Sequence, residues 1–297
     1  MLNNSNKNSL AIFGLLFGAL AWGVIWYPYR LMAEAGVSGV ASSFYTYLIA
    51  TTMGAAVFGK HWRGFFAQPI SIIWLGLAAG WANMSYVIAV IDGEVMRIML
   101  LFYLSPLWTL LLARFWLKEP ITKVGLISIS VALLGAYIML AGPFTKIDNH
   151  WPIPQNNSEW LALSAGIAFA LANVITRKSN HLTIRAKSFA VWIGVMSASL
   201  ILAPFLGDNF PTPSFFSLNN WLAIGLIAVI LFTATILVQF GVTQLTAIRA
   251  SVLFLFELVV AAFASYYLAH EVMSLNEWIG GLLIIAAALI AAFNHRD

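Results

Sequence analysis

The sequence predicts an all-α integral membrane protein: ten transmembrane helices arranged as two inverted five-helix repeats around a central cavity. Three observations carry that expectation. The 297 residues are 61% hydrophobic and 9% charged, with a mean hydropathy of +0.88, whereas a soluble domain carries about 25% charged residues. Long apolar runs recur from end to end, and a bilayer-spanning helix needs about 20 such residues. The second half of the chain also repeats features of the first at a near-constant shift.

Apolar runs bounded by turn signals give the spans in order: Leu10–Tyr29, Ala41–Gly59, Ile70–Ile91, Val95–Leu117, Ile121–Ala141, Trp160–Thr176, Phe189–Leu206, Leu218–Thr243, Ile248–Ala269 and Leu275–Phe293. None shows the period-two alternation of a barrel strand, so each reads as helix. Ten spans use about 200 residues, which leaves no room for a soluble domain. The first run carries a cleavage-like Ala19-Leu20-Ala21 behind Lys7. It continues through Trp22 to Tyr29, however, and its removal would leave an odd helix count, so it reads as a retained span. The longest break, Gly142–Glu159 with Pro143, Pro152 and Pro154, divides the chain into repeats 1–145 and 146–297.

Charge sets the orientation. With the N-terminus inside, Lys7, Lys60, Arg63, Arg114, Lys118, Lys123, Arg177, Lys178, Arg185, Lys187, Arg249 and Arg296 fall on the inner side, and only Arg30, Arg97 and Lys146 fall outside. Both termini are therefore expected in the cytoplasm, with the chain in a bacterial inner membrane. The pI near 9.4 does not imply nucleic acid, because the basic residues stand singly between apolar runs. There is no cysteine, hence no disulfide or thiolate metal site. His270-Glu271 lacks the second His of a zinc helix, and no Walker loop is present. No cofactor is expected. Twelve Trp suit interfacial belts or an aromatic-lined cavity.

The repeat is legible in register. A shift of 152 lays Arg97 on Arg249, Leu101 on Leu253, Phe102 on Phe254, Glu119 on Glu271 and Ile127 on Ile279, with Thr122 on Ser274. A shift of about 150 lays Val24-Ile25 on Val174-Ile175, and Gly14 and Gly18 on Ser164 and Ala168. Because each unit has five spans, the second copy enters the membrane from the opposite face. That arrangement belongs to secondary transporters, whose solute site lies near mid-bilayer between the halves.

Tyr103-Leu104-Ser105-Pro106-Leu107, Leu117-Lys118-Glu119, Gly125 and Gly135 resemble the fourth and fifth helices of the drug/metabolite transporter superfamily, EamA type. Phe256-Glu257-Leu258, Glu271 and Gly280-Gly281 resemble their second copy, and Ala21-Trp22-Gly23 is typical of the first span. Leu258 stands where that family often has Pro. The resemblance implies transport of a small solute, since members mostly export or exchange amino acids, metabolites and sugar derivatives. It also implies a cavity lined partly from the first and fourth helices.

Glu257 is the leading candidate residue. Eight positions beyond Arg249, it lies about 12 Å into its helix, near the bilayer centre. An ionised carboxylate there costs several kcal/mol unless paired or hydrated, so it should face an interior cavity. It would bind a substrate ammonium group or carry a coupling proton; the alternative is a structural carboxyl bonded to a neighbouring helix. Arg97 and Arg249 hold matching positions near opposite faces, as gate residues or as side chains snorkelling to headgroups. Arg97 would pair with Asp92 or Glu94, or receive a substrate carboxylate. Trp22, Asn83, Tyr86, Tyr103, Asn173 and Gln239 are candidates for solute contact; interhelical bonding is the alternative for each. Glu119 and Glu271 are expected to cap the helices that follow them, with Thr122 and Ser274 nearby. The motifs Gly14-x-x-x-Gly18 and Gly76-x-x-x-Gly80 should permit close helix approach.

These features converge on a secondary transporter for a small polar or zwitterionic metabolite, amino acids or their analogues favoured, by export or exchange. Its partners are the solute, the bilayer and H+ as candidate coupling ion. A membrane enzyme acting on lipid-linked substrates would need a His, Asp or Glu cluster at one face, and the five His are dispersed. A membrane sensor without flux is the other alternative. Reporter tags fused at either terminus are expected to be accessible only from the cytoplasmic side; opposite-sided tags would remove the even-span topology.

Overall fold

The computed structural model describes residues 4–59, 69–92, 95–120, 122–140, 154, 156–207, 210, 216–268 and 275–293. Among the described residues every regular element is helical. The helices are α1 (Asn4–Glu34), α2 (Gly39–Phe58), α3 (Pro69–Asp92), α4 (Val95–Phe102), α5 (Ser105–Leu112), α6 (Lys123–Leu140), α7 (Asn157–Lys178), α8 (Ile184–Leu202), α9 (Leu218–Gln244), α10 (Ala247–Phe254), α11 (Phe256–Leu268) and α12 (Leu275–Phe293). A π segment, Ala113–Leu117, continues α5, and a 3-10 turn, Ala203–Leu206, continues α8. Seven helical stretches among the described residues are long and apolar enough to cross a membrane. Helices α6 and α12 add shorter apolar stretches, Lys123–Gly135 and Trp278–Ala287.

The distribution of side chains is that of a protein solvated by lipid. Ile70, Phe115, Phe205, Leu218 and Leu275 point outward and are exposed, while Ser42, Ser43, Thr46, Thr109, Ser188 and Ser199 are fully buried. Helix starts are set by local chemistry. Ser38, Asn156, Thr183, Ser217 and Thr246 each accept a bond from an amide in the turn they open, satisfying donors that lipid cannot.

Two expected spans, the fourth and the ninth, are broken rather than continuous. Pro106 lacks an N–H and its ring conflicts with the carbonyl four residues back, so α4 stops at Phe102 and α5 restarts at Ser105. The ninth span breaks without a proline. The Leu255 amide bonds Val252 O at 3.1 Å and the Leu258 amide bonds Leu255 O at 3.1 Å, two tight turns that divide α10 from α11. Helices α4 and α10 have eight residues each and start 152 positions apart, at Val95 and Ala247.

Packing covers both breaks. Helix α7 lies on α3, α4 and α5, and α1 lies on α9, α10 and α11; α2 packs on α8 and α9, α3 on α8, and α6 on α12. Gly166 of α7 meets the Phe102 carbonyl, where an added Cβ would come within 2.6 Å, and Gly23 of α1 meets the Glu257 carbonyl, where it would come within 2.9 Å. Both glycine motifs lie at helix contacts as well. Gly14 and Gly18 face Leu237 and Val238 of α9, and Gly76 and Gly80 face Ala190 and Gly194 of α8. At Gly194 an added Cβ would overlap the Gly76 carbonyl.

Gly194→Val is expected to cost about 1–3 kcal/mol by forcing α3 and α8 apart, read as a lower thermal midpoint in detergent. Gly225→Ala, where no atom lies within 4 Å of the added Cβ, should leave the midpoint unchanged or raise it.

Candidate functional site

Helices α1, α2, α3, α4, α7, α8, α9 and α11 enclose a cavity of about 90 Å³. Of the residues singled out from the sequence, Trp22, Asn83, Tyr86, Asn173, Gln239 and Glu257 line it. Tyr103 does not; it is buried behind the wall, with its hydroxyl facing the Glu257 carboxyl. Its backbone belongs to the turn after α4, which carries the ring out of line with Phe102, the residue that takes the wall position. Arg249 lies elsewhere, in a second cavity at one end of the bundle. The side chains of Arg97, Asp92 and Glu94, and all of Glu271, lie outside the described residues.

The helix break explains how a carboxyl comes to stand in this wall. Glu257 occupies the first turn of α11 and is almost fully buried. There the partial positive charge of the helix N-terminus favours an acid. Around it the cavity offers aromatic faces from Trp22, Tyr47, Tyr86, Phe102 and Phe169, and among the described residues no Lys or Arg lines it. Asn83 donates through Nδ2 to the Tyr47 hydroxyl at 3.2 Å. Asn83 Oδ1, the Tyr86 hydroxyl and Asn173 Nδ2 are buried with no partner among the described residues. Buried polar atoms of this kind are nearly always bonded, so these three acceptors and donors are available to a solute or to water. The arrangement suits an ammonium group at Glu257 flanked by aromatic rings, with neutral donors for a second polar group.

Tyr47, Phe102, Phe169 and Thr235 also line the cavity. Phe102, Phe169 and Thr235 had no distinguishing signal in an aromatic-rich, apolar sequence; Tyr47 had one, as a phenol in mid-span. At about 90 Å³ the space is well below the roughly 300–1,000 Å³ of small-molecule pockets. Admitting a metabolite therefore requires the walls to move.

A chain of polar contacts leads away from Gln239 in the cavity wall. Thr176 donates to Gln239 Oε1 at 3.0 Å, and Thr243 donates to Gln239 O at 2.7 Å. Lys187, fully buried near the start of α8, donates to Thr176 O and to Thr243 Oγ1, each at 2.8 Å. Arg177 donates to Thr243 O at 2.6 Å and, through Nε, to Glu119 Oε1 at 3.2 Å. Glu119 Oε2 in turn accepts from the Ala247 amide at 3.0 Å. Glu119 thus caps α10, more than a hundred residues downstream, instead of the helix that follows it. Thr122 alone caps α6, by accepting from the Gly125 amide at 3.0 Å. The π segment explains the difference. Its wide turn ends at Lys118 in the left-handed region, with φ 56°, and swings Glu119 away from α6.

The sequence model of the EamA-like transporter family matches residues 9–141 and again 157–293. A protein of Archaeoglobus fulgidus described as an uncharacterized transporter is 27% identical over 214 residues, covering 70% of each chain. A solved crystal structure superimposes with a TM-score of 0.74 over 95% of this chain and 96% of its own, at 16% identity; that likeness concerns the fold alone.

The contact chain gives a stability test. Lys187→Met leaves the Thr176 carbonyl and the Thr243 hydroxyl short of a donor in a buried place, at a cost of about 1–3 kcal/mol. Combined with Thr243→Val the losses should be less than additive, which a double-mutant cycle of thermal midpoints would read.

Proposed function

Because the chain belongs to the EamA-like transporter family, within the drug/metabolite transporter superfamily, we propose that it is a secondary transporter moving a small polar or zwitterionic metabolite by alternating access. Amine-bearing solutes, amino acids or their analogues, are the preferred class, and export or exchange the preferred mode. The observation that carries this is Glu257: among the described residues it is the one carboxyl in a cavity with aromatic walls and no basic lining residue, and it stands at a helix break. A carboxyl in that setting is matched by a substrate ammonium or by a proton, and either role couples the solute to its charge state. For a zwitterion, Asn173 Nδ2 and the Tyr86 hydroxyl are the donors within the cavity. Arg97, whose side chain lies outside the described residues, is the further candidate for that carboxylate.

The proposed frame is ten spans in two inverted repeats, 1–145 and 146–297. Several observations support it. The family match falls once in each half. The breaks recur 152 residues apart. Helix pairings also exchange in matched sets: α1 with α9 as α7 with α3, α1 with α11 as α7 with α5, and α2 with α9 as α8 with α3. In this frame the end holding Arg177, Lys187 and Glu119 is cytoplasmic, as are both termini, in a bacterial inner membrane. The contact chain from Gln239 to Glu119 is the closed inner gate, and solute enters from the cytoplasm when it parts.

Counterflow in proteoliposomes tests the reading. Labelled amine-bearing solutes should exchange saturably, and Glu257→Gln should reduce exchange at least tenfold and flatten its pH dependence. Normal exchange with an unchanged pH profile in Glu257→Gln rejects both roles of the carboxyl. Saturable binding without exchange would make the protein a sensor.

A further inference from the structure

A further cavity, of about 290 Å³, lies between the last turns of α1 and α3. Gly241 of α9 meets Ala11 and Leu15, so the contact chain at Thr243 lies by the start of α1 and this cavity at the opposite end. Resting on the solute class given above, we propose that it is an outer binding station for the same solute, and that it takes an amino-acid zwitterion with an apolar side chain.

Its place is the first support. Trp22 lines the central cavity, and Trp26, one turn further along α1, lines this one. On α3, Tyr86 lines the first and Val90, one turn on, lines the second. A turn of four residues advances about 6 Å, so the two cavities stand in file along the same pair of helices. The outer one is also close to the roughly 300 Å³ at which small-molecule pockets begin. Unlike the central cavity, it admits a small solute without moving its walls.

Its charges are the second. Arg30 and Glu34, four residues apart on α1, both line it, and among the described residues no other charged group does. They make no ion pair with each other among the described residues. Within a helix such a pair is favoured when the acid precedes the base, and here the base comes first. Arg30 instead lies over the Trp26 ring, at 5.1 Å from its centroid, which leaves its N–H donors for another group. Glu34 is the last residue of α1, where the negative end of the helix disfavours a carboxylate unless a cation meets it. A zwitterion answers both, its carboxylate on the Arg30 fork and its ammonium on Glu34. Trp26 Nε1, buried with no partner among the described residues, adds a donor on the same wall. Ala33, Val90 and Ile91 make the rest of the lining apolar, which sets the preference for an apolar side chain.

The test is equilibrium dialysis of the purified full chain, in phosphatidylcholine nanodiscs, against labelled L-leucine. E257Q serves as the background in which the central carboxyl is removed. That variant is expected to keep one leucine per chain, and adding R30Q or E34Q to it should weaken the remaining binding about tenfold. Isoamylamine and 4-methylpentanoate, which each carry one of the two charges, should displace the label about tenfold less well than leucine. Absence of leucine binding in E257Q overturns the station, as does a loss smaller than threefold in R30Q or E34Q, or either half-molecule competing as well as leucine. Loss of binding when phosphatidylethanolamine replaces phosphatidylcholine would give the cavity to a lipid headgroup and overturn it as well. The central reading fails separately: if wild type and E257Q bind leucine alike, Glu257 does not hold this solute, and the station still stands on R30Q and E34Q. Both residues are exposed, so neither change disturbs packing; should R30Q not purify as a monodisperse species, E34Q decides alone.

Discussion

A helix that breaks inside a bilayer frees amides and carbonyls that lipid cannot satisfy, so it can break only where protein covers the gap. This chain breaks two helices, between α4 and α5 and between α10 and α11, and much of the architecture follows from covering them. Helix α7 lies over the first break and α1 over the second, each brought close by a glycine. The helices that cover the breaks thereby become the walls of the central cavity. The first turn exposed by the second break is what admits Glu257 to that wall. Without the break, the same residue would be one more buried carboxyl on a continuous span, lacking the amide field of a helix start.

The gross plan was legible in the sequence because bilayer burial leaves a strong signature. Charged residues inside apolar runs are rare enough that Glu257 stood out at once, and Arg97 and Arg249 suggested a repeat. Length and hydropathy marked the apolar helices, seven of which are, among the described residues, long and apolar enough to cross a membrane; α1 nevertheless extends to Glu34, past the expected Tyr29. The breaks were harder. Pro106 was visible, but Leu255 interrupts its helix through backbone turns that no side chain announces. Tertiary contacts were harder still. Nothing near Glu119 in sequence says that its carboxylate caps Ala247, because that contact depends on where two distant loops meet. Tyr103 illustrates the same limit: its neighbour Phe102 lines the cavity, and one residue of turn separates them.

Polar groups in this protein fall into two physical situations. Those in the contact chain from Gln239 to Glu119 are bonded to one another, and Lys187 and Arg177 spend their charge on carbonyls, a hydroxyl and a carboxylate. Those around the central cavity keep donors and acceptors in reserve, as at Asn83, Tyr86 and Asn173. The first pattern holds helices together; the second leaves bonding capacity for something that arrives from outside. Both lie in the same low-dielectric interior, where an unmet polar group is costly and a met one is strong.

The π segment at Ala113–Leu117 carries one residue more per turn than its surroundings, so its length is a discrete variable in the history of the chain. Deleting a single residue there would restore a regular helix and take away the wide turn that ends at Lys118 and carries Glu119 off α6. The reach of the Glu119 carboxylate to the Ala247 amide and to Arg177 would then be lost with no substitution at any of the three. A contact joining the two halves of the chain is thus held by the length of one turn as much as by the residues that make it.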